Sequence, residues 1–358
     1  KKPTYKYSFG YQNWYQSAKS ECINTRSNIG FFDLTPFVKF DLSGKHAHAQ
    51  LQYLCANNIK NVEGRTTYTQ MLNPSGGIEA DVTVSCIKKN YFRIICPALA
   101  RSHNKSHILK NLTKKIKFQD VTDKYSCIGL FGPKSRKFLS ELFGNYFSKE
   151  DFPFSRGKYL NIANNNIWFQ RLSFIGELGW EIYIPKKKTN TIFKKIKRLG
   201  KKYTLTYSGM HALDILRLEK KFLHWGHDIT PANNPFESGL SFAVNFKKNE
   251  NFIGREALEK IKDKPLKNKL ELFSLKDNFK PGVPLLLHDE PIFRLDKIIG
   301  YTTSSNYSFC YKKNICLAYV EGEVAENENL FIEIEGKKYA LKLEKQPIHD
   351  PRTVSMRS

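Results

Sequence analysis

YTQMLNPSGGIEADVTV, residues 68–84, breaks in its middle at the turn signal Pro74-Ser75-Gly76-Gly77 and resumes as strict alternation. Ile78, Ala80, Val82 and Val84 are apolar, while Glu79, Asp81, Thr83 and Ser85 between them are polar. A period of two predicts a half-buried strand with two distinct faces. Asp81 then projects from a rigid element just beyond a turn whose paired glycines permit conformations, and a closeness to a ligand, that a side chain would block. Two readings of this carboxylate stand side by side: an acid on the solvent face of a β-hairpin, or a group aimed at a ligand.

The chain of 358 residues is long enough for two or three compact units. Its 41% hydrophobic and 13% aromatic content describes a folded protein. No apolar run approaches the ~20 residues that cross a bilayer, so a soluble protein is expected, cytoplasmic or, in a eukaryote, in the mitochondrial matrix, with no membrane partner. The start Lys1-Lys2-Pro3, with neither an initiator Met nor an apolar signal, reads as a processed product or a piece of something longer. The net charge of +24 comes mostly from Lys, as in Lys186-Lys187-Lys188 and Lys201-Lys202. Together with abundant Asn and Ile, this reads as Lys accumulating on solvated faces, and nucleic acid is not the expected partner. Seven cysteines without C-x-x-C spacing imply reduced, buried thiols. No metal is expected: zinc needs about four convergent ligands, and His224 with His227 has no third ligand nearby.

Residues 10–30 read as a helix ending at Gly30, and Phe31 to Leu42 as a strand around Pro36. A helical pattern over 45–60 puts Ala47, Leu51, Leu54 and Cys55 on one face. A basic amphipathic helix is expected from Thr189 to Arg198. Gly209 to Lys221 is the clearest helix, with Leu213, Leu216 and Leu218 toward a core and Asp214 and Arg217 as an i, i+3 pair, read as core packing rather than ligand binding. Beyond Asn249-Glu250-Asn251, strand-like runs at 270–275, 298–304, 316–320 and 330–343 suggest a small barrel. No G-x-G-x-x-G follows a strand, so the chain carries no dinucleotide domain.

The 68–84 segment resembles the glycine-cleavage T-protein (aminomethyltransferase) superfamily, in which a Gly-Gly turn leads to the Asp of a tetrahydrofolate site. Further matches follow in order along nearly the whole chain: FFDLTPFVKFDLSG at 31–44, LQYLCANNI at 51–59, IGLFGPKSR at 128–136, RLSFIGELGWEIYIP at 171–185, GMHALDILRLEK at 209–220, FLHWGHDITP at 222–231 and FIGREAL at 252–258. HWGHDITP and YTQMLNPSGGIEAD resemble the C-terminal folate half of sarcosine and dimethylglycine dehydrogenases. There an FAD domain comes first, and it would end just before FGYQNWYQSAKSE at 9–21. The resemblance implies an α+β fold, a three-domain cloverleaf around a central folate channel with a small C-terminal β-barrel. The implied units are a discontinuous folate-binding domain at 1–48 and 146–250, an inserted α+β domain at 49–145, and the barrel at 251–358.

It also implies a chemistry. Tetrahydrofolate captures a one-carbon unit, delivered as an iminium derived from an N-methyl amine, as 5,10-methylenetetrahydrofolate. FAD would sit only on an oxidoreductase domain, in cis or in trans, that is absent from this chain. Asp81 matches the group that orients the folate N10 and takes up a proton. Glu181 matches the second acid of the family's G-E-x-G-x-E segment and resembles the pterin anchor, a carboxylate offering acceptors to adjacent ring N–H donors. Glu177, the first acid, reads as a turn residue. Tyr68 matches an aromatic position beside the folate. Phe174 stands where the family more often has Tyr, keeping the ring and losing a hydroxyl. Lys269 matches a basic position near the folate glutamate tail, with a point charge instead of a guanidinium fork. Leu213 stands where T-proteins have a ligand-contacting Arg, which favours the dehydrogenase branch. The alternatives are a stand-alone aminomethyltransferase or folate-dependent demethylase, and a non-catalytic folate-binding RNA-modification accessory protein, whose Lys-Gly-Cys-Tyr-x-Gly-Gln-Glu segment is missing here.

Overall fold

The alternation after Gly77 forms the strand it predicts. In the computed structural model, which describes residues 4–113, 115–162 and 164–358 and so leaves out the opening Lys1-Lys2-Pro3, Ile78–Lys88 pairs antiparallel with Thr66–Leu72, Gln70 opposite Asp81 and Tyr68 opposite Thr83. Asn73 makes the turn: its Oδ1 accepts from the backbone N–H groups of Ser75 (3.0 Å) and Gly77 (2.8 Å), an Asx arrangement. Gly76 follows at a φ of +87°. The closeness expected for a ligand at Gly77 is taken up by the chain itself, because a Cβ there would lie 1.9 Å from the Pro231 carbonyl oxygen. Asn233 from the same loop accepts the Ile78 N–H at 2.9 Å.

The apolar side of the hairpin (Met71, Ala80, Val82, Val84) packs with Val38, Phe40, Leu42, Leu51 and Leu54. This core joins helix Ala47–Leu54 to a five-stranded sheet ordered Thr66–Leu72, Ile78–Lys88, Tyr91–Cys96, Val38–Ser43, Lys117–Asp120. A second sheet of six strands runs Thr206–Ser208, Gly30–Asp33, Tyr125–Phe131, Gly179–Pro185, Asn165–Gln170, Gly157–Ile162. One of its faces, with Leu130, Phe169, Trp180 and Ile182, is covered by helices Ser135–Phe143 and Thr189–Gly200. Helices Tyr15–Ser27 and Met210–Glu219 pack together through Ala18, Cys22, Ala212 and Leu213 against Phe32 and Phe131.

The strand expected over 31–42 is two strands in different sheets. Asp33 Oδ1 accepts the Thr35 N–H at 3.0 Å, and Pro36, which has no N–H to give a ladder, completes the turn between them. Sheet membership therefore crosses the expected unit limits twice. Val38–Ser43 pairs with strands of the 49–145 segment, and Tyr125–Phe131 with strands beyond 146. The C-terminal barrel is closed, in the order Asn268–Leu275, Lys313–Glu321, Lys297–Ser308, Pro291–Arg294, Leu330–Ile334, Lys337–Leu343. The single run expected at 330–343 is a hairpin turning through positive φ at Glu335 and Gly336. All seven cysteines are free, six of them buried.

Backbone hydrogen bonds stitch the two open sheets together. Gly157 N–H donates to the Gly64 carbonyl (2.7 Å), and Thr66 N–H to the Ser155 carbonyl (3.1 Å). Gly64 has a φ of +77°, and a Cβ on it would lie 2.5 Å from the Gly157 carbonyl oxygen, whereas Gly336, at +72°, would meet nothing within 4 Å. Gly336→Ala should therefore cost only the left-handed conformation, about 1 kcal/mol. Gly64→Ala should cost about 1–3 kcal/mol more through overpacking. Urea unfolding of both variants measures the order; equal losses would mean that the stitch does not constrain the fold.

Candidate functional site

The polar face of the hairpin meets the second sheet at its Ser85 end, while Glu79 at the turn end lies 2.7 Å from His103 Nε2. Ser85, on the same face as Asp81 and Thr83 by the period of two, donates its hydroxyl to Gln170 Oε1 at 2.5 Å, across the gap between the sheets. Asp81 is half-buried in this seam. Gln70, directly opposite in register, donates from Nε2 to Asp81 Oδ1 at 2.8 Å. The Tyr68 hydroxyl approaches the same carboxylate. Burial pushes the Asp81 carboxyl up to about 6, although both donors pull it down. The Tyr68 phenol is held well above its ordinary value, first by burial and then by the neighbouring Asp81, so it remains a proton donor at neutral pH. Gln70 Oε1 is buried and has no hydrogen-bond partner among the described residues.

Glu181, from strand Gly179–Pro185, faces the same seam and is also half-buried. Its Oε2 accepts from the Tyr183 hydroxyl (2.6 Å) and from Gln170 Nε2 (3.4 Å). Burial raises its pKa against the lowering pull of Tyr183 and of the Lys39 charge. The Lys39 ammonium is spent on the Thr35 and Phe37 carbonyls, both at 2.8 Å. Two carboxylates, each with its pKa raised by burial, are thus hydrogen-bonded by neutral donors and not by cations. Glu177, four residues earlier, is fully committed to structure: its carboxylate pairs with Arg26 (3.0 Å) and with His349 (2.9 Å).

The other anticipated residues fall as follows. Tyr68 lies beside Asp81, and its ring stacks on Phe242 with centroids 6.1 Å apart. Phe174 stacks on Phe222 at 6.2 Å and packs against the cluster that contains Tyr183. Lys269 lies on barrel strand Asn268–Leu275, with its ammonium 2.8 Å from Glu271, which Lys221 also reaches at 2.9 Å. Among the described residues no hydrogen bond or ion pair links Lys269 to Asp81 or Glu181. Leu213 is core, 4% exposed. His224 and His227 have ring centroids 4.8 Å apart, and among the described residues no group of three or more His, Cys, Asp or Glu could hold a metal ion. No helix among them is long and apolar enough to cross a membrane.

Four site residues escape the sequence reading: Gln70, Ser85, Gln170 and Tyr183. Gln70 was not derivable from the turn alone: counting back from Leu72 opposite Ile78 would set it across from Ala80, and an irregularity between Met71 and Leu72 shifts the register by one to bring it across from Asp81. Gln170 and Tyr183 needed the pairing of two strands separated by an irregular loop. A fifth, Asp228, pins that loop-rich HWGHDITP segment. Wholly buried, it accepts from Arg217 (2.6 Å), the His224 N–H (2.8 Å) and the Thr303 hydroxyl (2.6 Å). Trp225 of the same segment donates to the Ile78 carbonyl at 3.0 Å, at the root of the Asp81 strand.

Two family descriptions match the chain, the GCVT N-terminal domain over residues 3–248 and the glycine cleavage T-protein C-terminal barrel domain over residues 271–350. Mitochondrial dimethylglycine dehydrogenase of Rattus norvegicus is 32% identical over 349 residues, covering 96% of this chain and 40% of that protein. The chain thus spans about 40% of the length of the dehydrogenase it matches. An aminomethyltransferase of Caldanaerobacter subterraneus is 32% identical over 317 residues, covering 88% of this chain and 83% of its own. The solved glycine cleavage system aminomethyltransferase T of Bartonella henselae has the same fold, with a TM-score of 0.85 at 20% identity over 97% of this chain and 94% of that one.

The raised Asp81 carboxyl has a consequence for stability. In the unfolded chain it titrates near ~4; in the fold, at about 6. Between those values the folded state holds a proton that the unfolded state has released, so this group's contribution is full below the lower value and is lost as pH rises through the higher one. Asp81→Asn keeps an oxygen for Gln70 and cannot ionise. It is expected to match the parent near pH ~4 and to exceed it at pH ~8 by roughly 1–3 kcal/mol. Urea unfolding at the two pH values tests this, and a pH-independent difference would refute the raised carboxyl.

Proposed function

The chain belongs to the glycine-cleavage T-protein family, whose chemistry is folate-dependent one-carbon transfer, and from that premise we propose that it is the tetrahydrofolate-dependent part of a sarcosine or dimethylglycine dehydrogenase-like enzyme. It would form 5,10-methylenetetrahydrofolate from an N-methyl-derived iminium made on an FAD oxidoreductase domain in cis or in trans. The observation that carries the reading is the pair of carboxylates, Asp81 and Glu181, on facing polar sides of two sheets, each lifted toward neutrality by burial. The match to dimethylglycine dehydrogenase over 96% of the chain supports the dehydrogenase branch. Leu213, in place of a ligand-contacting Arg, supports it as well. The division into a discontinuous folate-binding unit, an inserted unit and a barrel is part of this proposal, with Val38–Ser43 and Tyr125–Phe131 exchanged between the first two.

The residues of the seam fit a folate. Glu181 Oε1 carries no hydrogen bond among the described residues, and Gln70 Oε1 is a buried acceptor without a donor. A reduced pterin with N–H donors along one edge meets both needs. Bound tetrahydrofolate supplies two nucleophilic nitrogens, N5 and N10, that hold a one-carbon unit between them. Glu181 accepts from the pterin edge and fixes its orientation, which is the larger share of the rate effect when two groups must meet in one geometry. Asp81 orients N10 and takes the proton released there, a task that a carboxyl near 6 performs in either direction at neutral pH. Tyr68 lends its ring to the ligand and its hydroxyl to Asp81. Phe174 offers a ring on the Tyr183 side, and Lys269 a cation for the glutamate tail.

A second reading, a stand-alone aminomethyltransferase, is favoured by the bacterial aminomethyltransferase that the chain matches over 83% of that protein's length. Both readings use the same residues.

Titration with tetrahydrofolate, followed by assay of one-carbon capture from formaldehyde above the uncatalysed rate, separates the roles. Glu181→Ala should weaken binding about 10- to 100-fold, the worth of hydrogen bonds to a charged group. Asp81→Ala should leave binding little changed and slow capture by about 10²–10⁴. Parent-like binding and capture in both variants would sink the site assignment.

A further inference from the structure

The seam contains a hydrogen-bonded chain that the two carboxylates alone do not require. Gln170 lies directly across from Glu181 in the register of strands Asn165–Gln170 and Gly179–Pro185. Its Oε1 accepts from the Ser85 hydroxyl (2.5 Å) and from Trp168 Nε1 (3.3 Å), and its Nε2 donates to Glu181 Oε2 (3.4 Å). An indole N–H can only donate, so the amide atom facing Trp168 must be the oxygen, and the N–H end is committed to Glu181. Ser85 spends its single proton on Gln170, which makes the Thr66 hydroxyl, 3.0 Å away, the donor to Ser85. Every proton along Thr66, Ser85 and Gln170 therefore points toward the carboxylate, and each bond polarises the next. Tyr183 closes on the same Oε2 from the other side at 2.6 Å.

Gln170 is 1% exposed and Ser85 fully buried. Ser85 belongs to the strand and face that carry Asp81, while Glu181 belongs to the other sheet. We propose that Gln170 is a positioning residue: it ties Glu181 to the sheet that carries Asp81 and commits Oε2, so that Oε1 alone is presented, oriented, to the pterin. The inference rests on the folate reading above and deepens it, replacing a carboxylate with two free acceptors by one with a single free acceptor. With the Lys39 ammonium held by two carbonyls and acting on Glu181 only through space, the hydrogen bonds to the Glu181 carboxylate come from neutral donors. Losing the amide N–H weakens the ionised form as well as its orientation.

The test is a titration of the full chain with 5-formyltetrahydrofolate between about pH 5.5 and pH 9, on the parent and on Gln170→Leu, Gln170→Glu and Glu181→Ala. Gln170→Leu removes the donor and should bind about 10- to 100-fold more weakly at every pH. Gln170→Glu keeps the shape. Protonated, it donates as the amide did; ionised, it sets a second charge beside Glu181. Its affinity should approach the parent's at the acid end and fall at least about tenfold toward the alkaline end, a limb absent from the parent. A Gln170→Glu variant that tracks the parent throughout, or loses affinity equally at all pH, overturns the proposal, as does parent-like binding by Gln170→Leu. If Glu181→Ala binds like the parent, the folate reading fails and takes the proposal with it. If Glu181→Ala loses binding while both Gln170 variants keep it, only the role of Gln170 fails.

Discussion

Two sheets closed against each other on faces that carry buried polar groups among apolar ones set the terms for the rest of the molecule. Sheets ordinarily pack through their apolar sides, and here each does so elsewhere: the five-stranded sheet on helix Ala47–Leu54 through Val82 and Val84, the six-stranded sheet on helices Ser135–Phe143 and Thr189–Gly200 through Trp180 and Ile182. Between the two sheets lie Asp81, Gln70 and Ser85 on one side and Glu181, Gln170 and Tyr183 on the other, among apolar neighbours such as Ile95, Cys127 and Trp168. Removing a carboxylate from water costs several kcal/mol unless its partners compensate. The partners in the seam are an amide and a hydroxyl for each acid. They satisfy lone pairs without neutralising charge, and burial raises the pKa of both acids. Other buried acids are held by arginine, as Glu177 and Glu219 are by Arg26 and Asp41 is by Arg93 at 2.8 Å. The proposed roles of Asp81 and Glu181 rest on that contrast between acids held by arginine and acids met by neutral donors.

Such a seam must be held shut from outside it. The backbone bonds between Gly64–Thr66 and Ser155–Gly157 do so at one end, where neither sheet tolerates a side chain at the crossing: a Cβ on Gly157 would lie 2.3 Å from the Trp168 ring. At the Asp81 turn, the Pro231 carbonyl fills the space that Gly77 leaves open. That loop is anchored through Asp228 to Arg217 of helix Met210–Glu219 and to Thr303 of barrel strand Lys297–Ser308. The barrel reaches the Asp81 strand through this loop, which gives the third unit a share in the site's geometry without supplying either carboxylate.

Much of this was legible beforehand. The period of two after Gly77 located the Asp81 strand, and the 3.6-residue pattern located helices Thr189–Gly200 and Met210–Glu219 to within a few residues, while the helix expected over 45–60 stops at Leu54, where Cys55 turns extended. The hairpin as such said nothing about which way its polar face looked, because alternation defines two sides and not what covers them; only the pairing of distant strands reveals that the covering is another sheet. The same limit hid Gln170, an unremarkable amide until strand Gly179–Pro185 lies beside it. Residues 31–42 read as one strand around Pro36, but that proline, with Asp33 and Thr35, hands the chain from one sheet to the other. Arg217 was read as half of a local pair with Asp214. Its burial follows from Asp228, eleven residues on, which no helical spacing could indicate.

The central claim is that the seam between the sheets is a folate site with Glu181 on the pterin and Asp81 on the reacting nitrogens. A crystal structure of the chain with 5-formyltetrahydrofolate tests it most directly. The account predicts the ligand between the two sheets, its pterin edge within hydrogen-bond reach of Glu181 Oε1 and its N10 beside Asp81, with Oε2 still bonded to Tyr183 and Gln170. A ligand bound on the basic outer surface, or one in the seam with its pterin remote from Glu181, would contradict it.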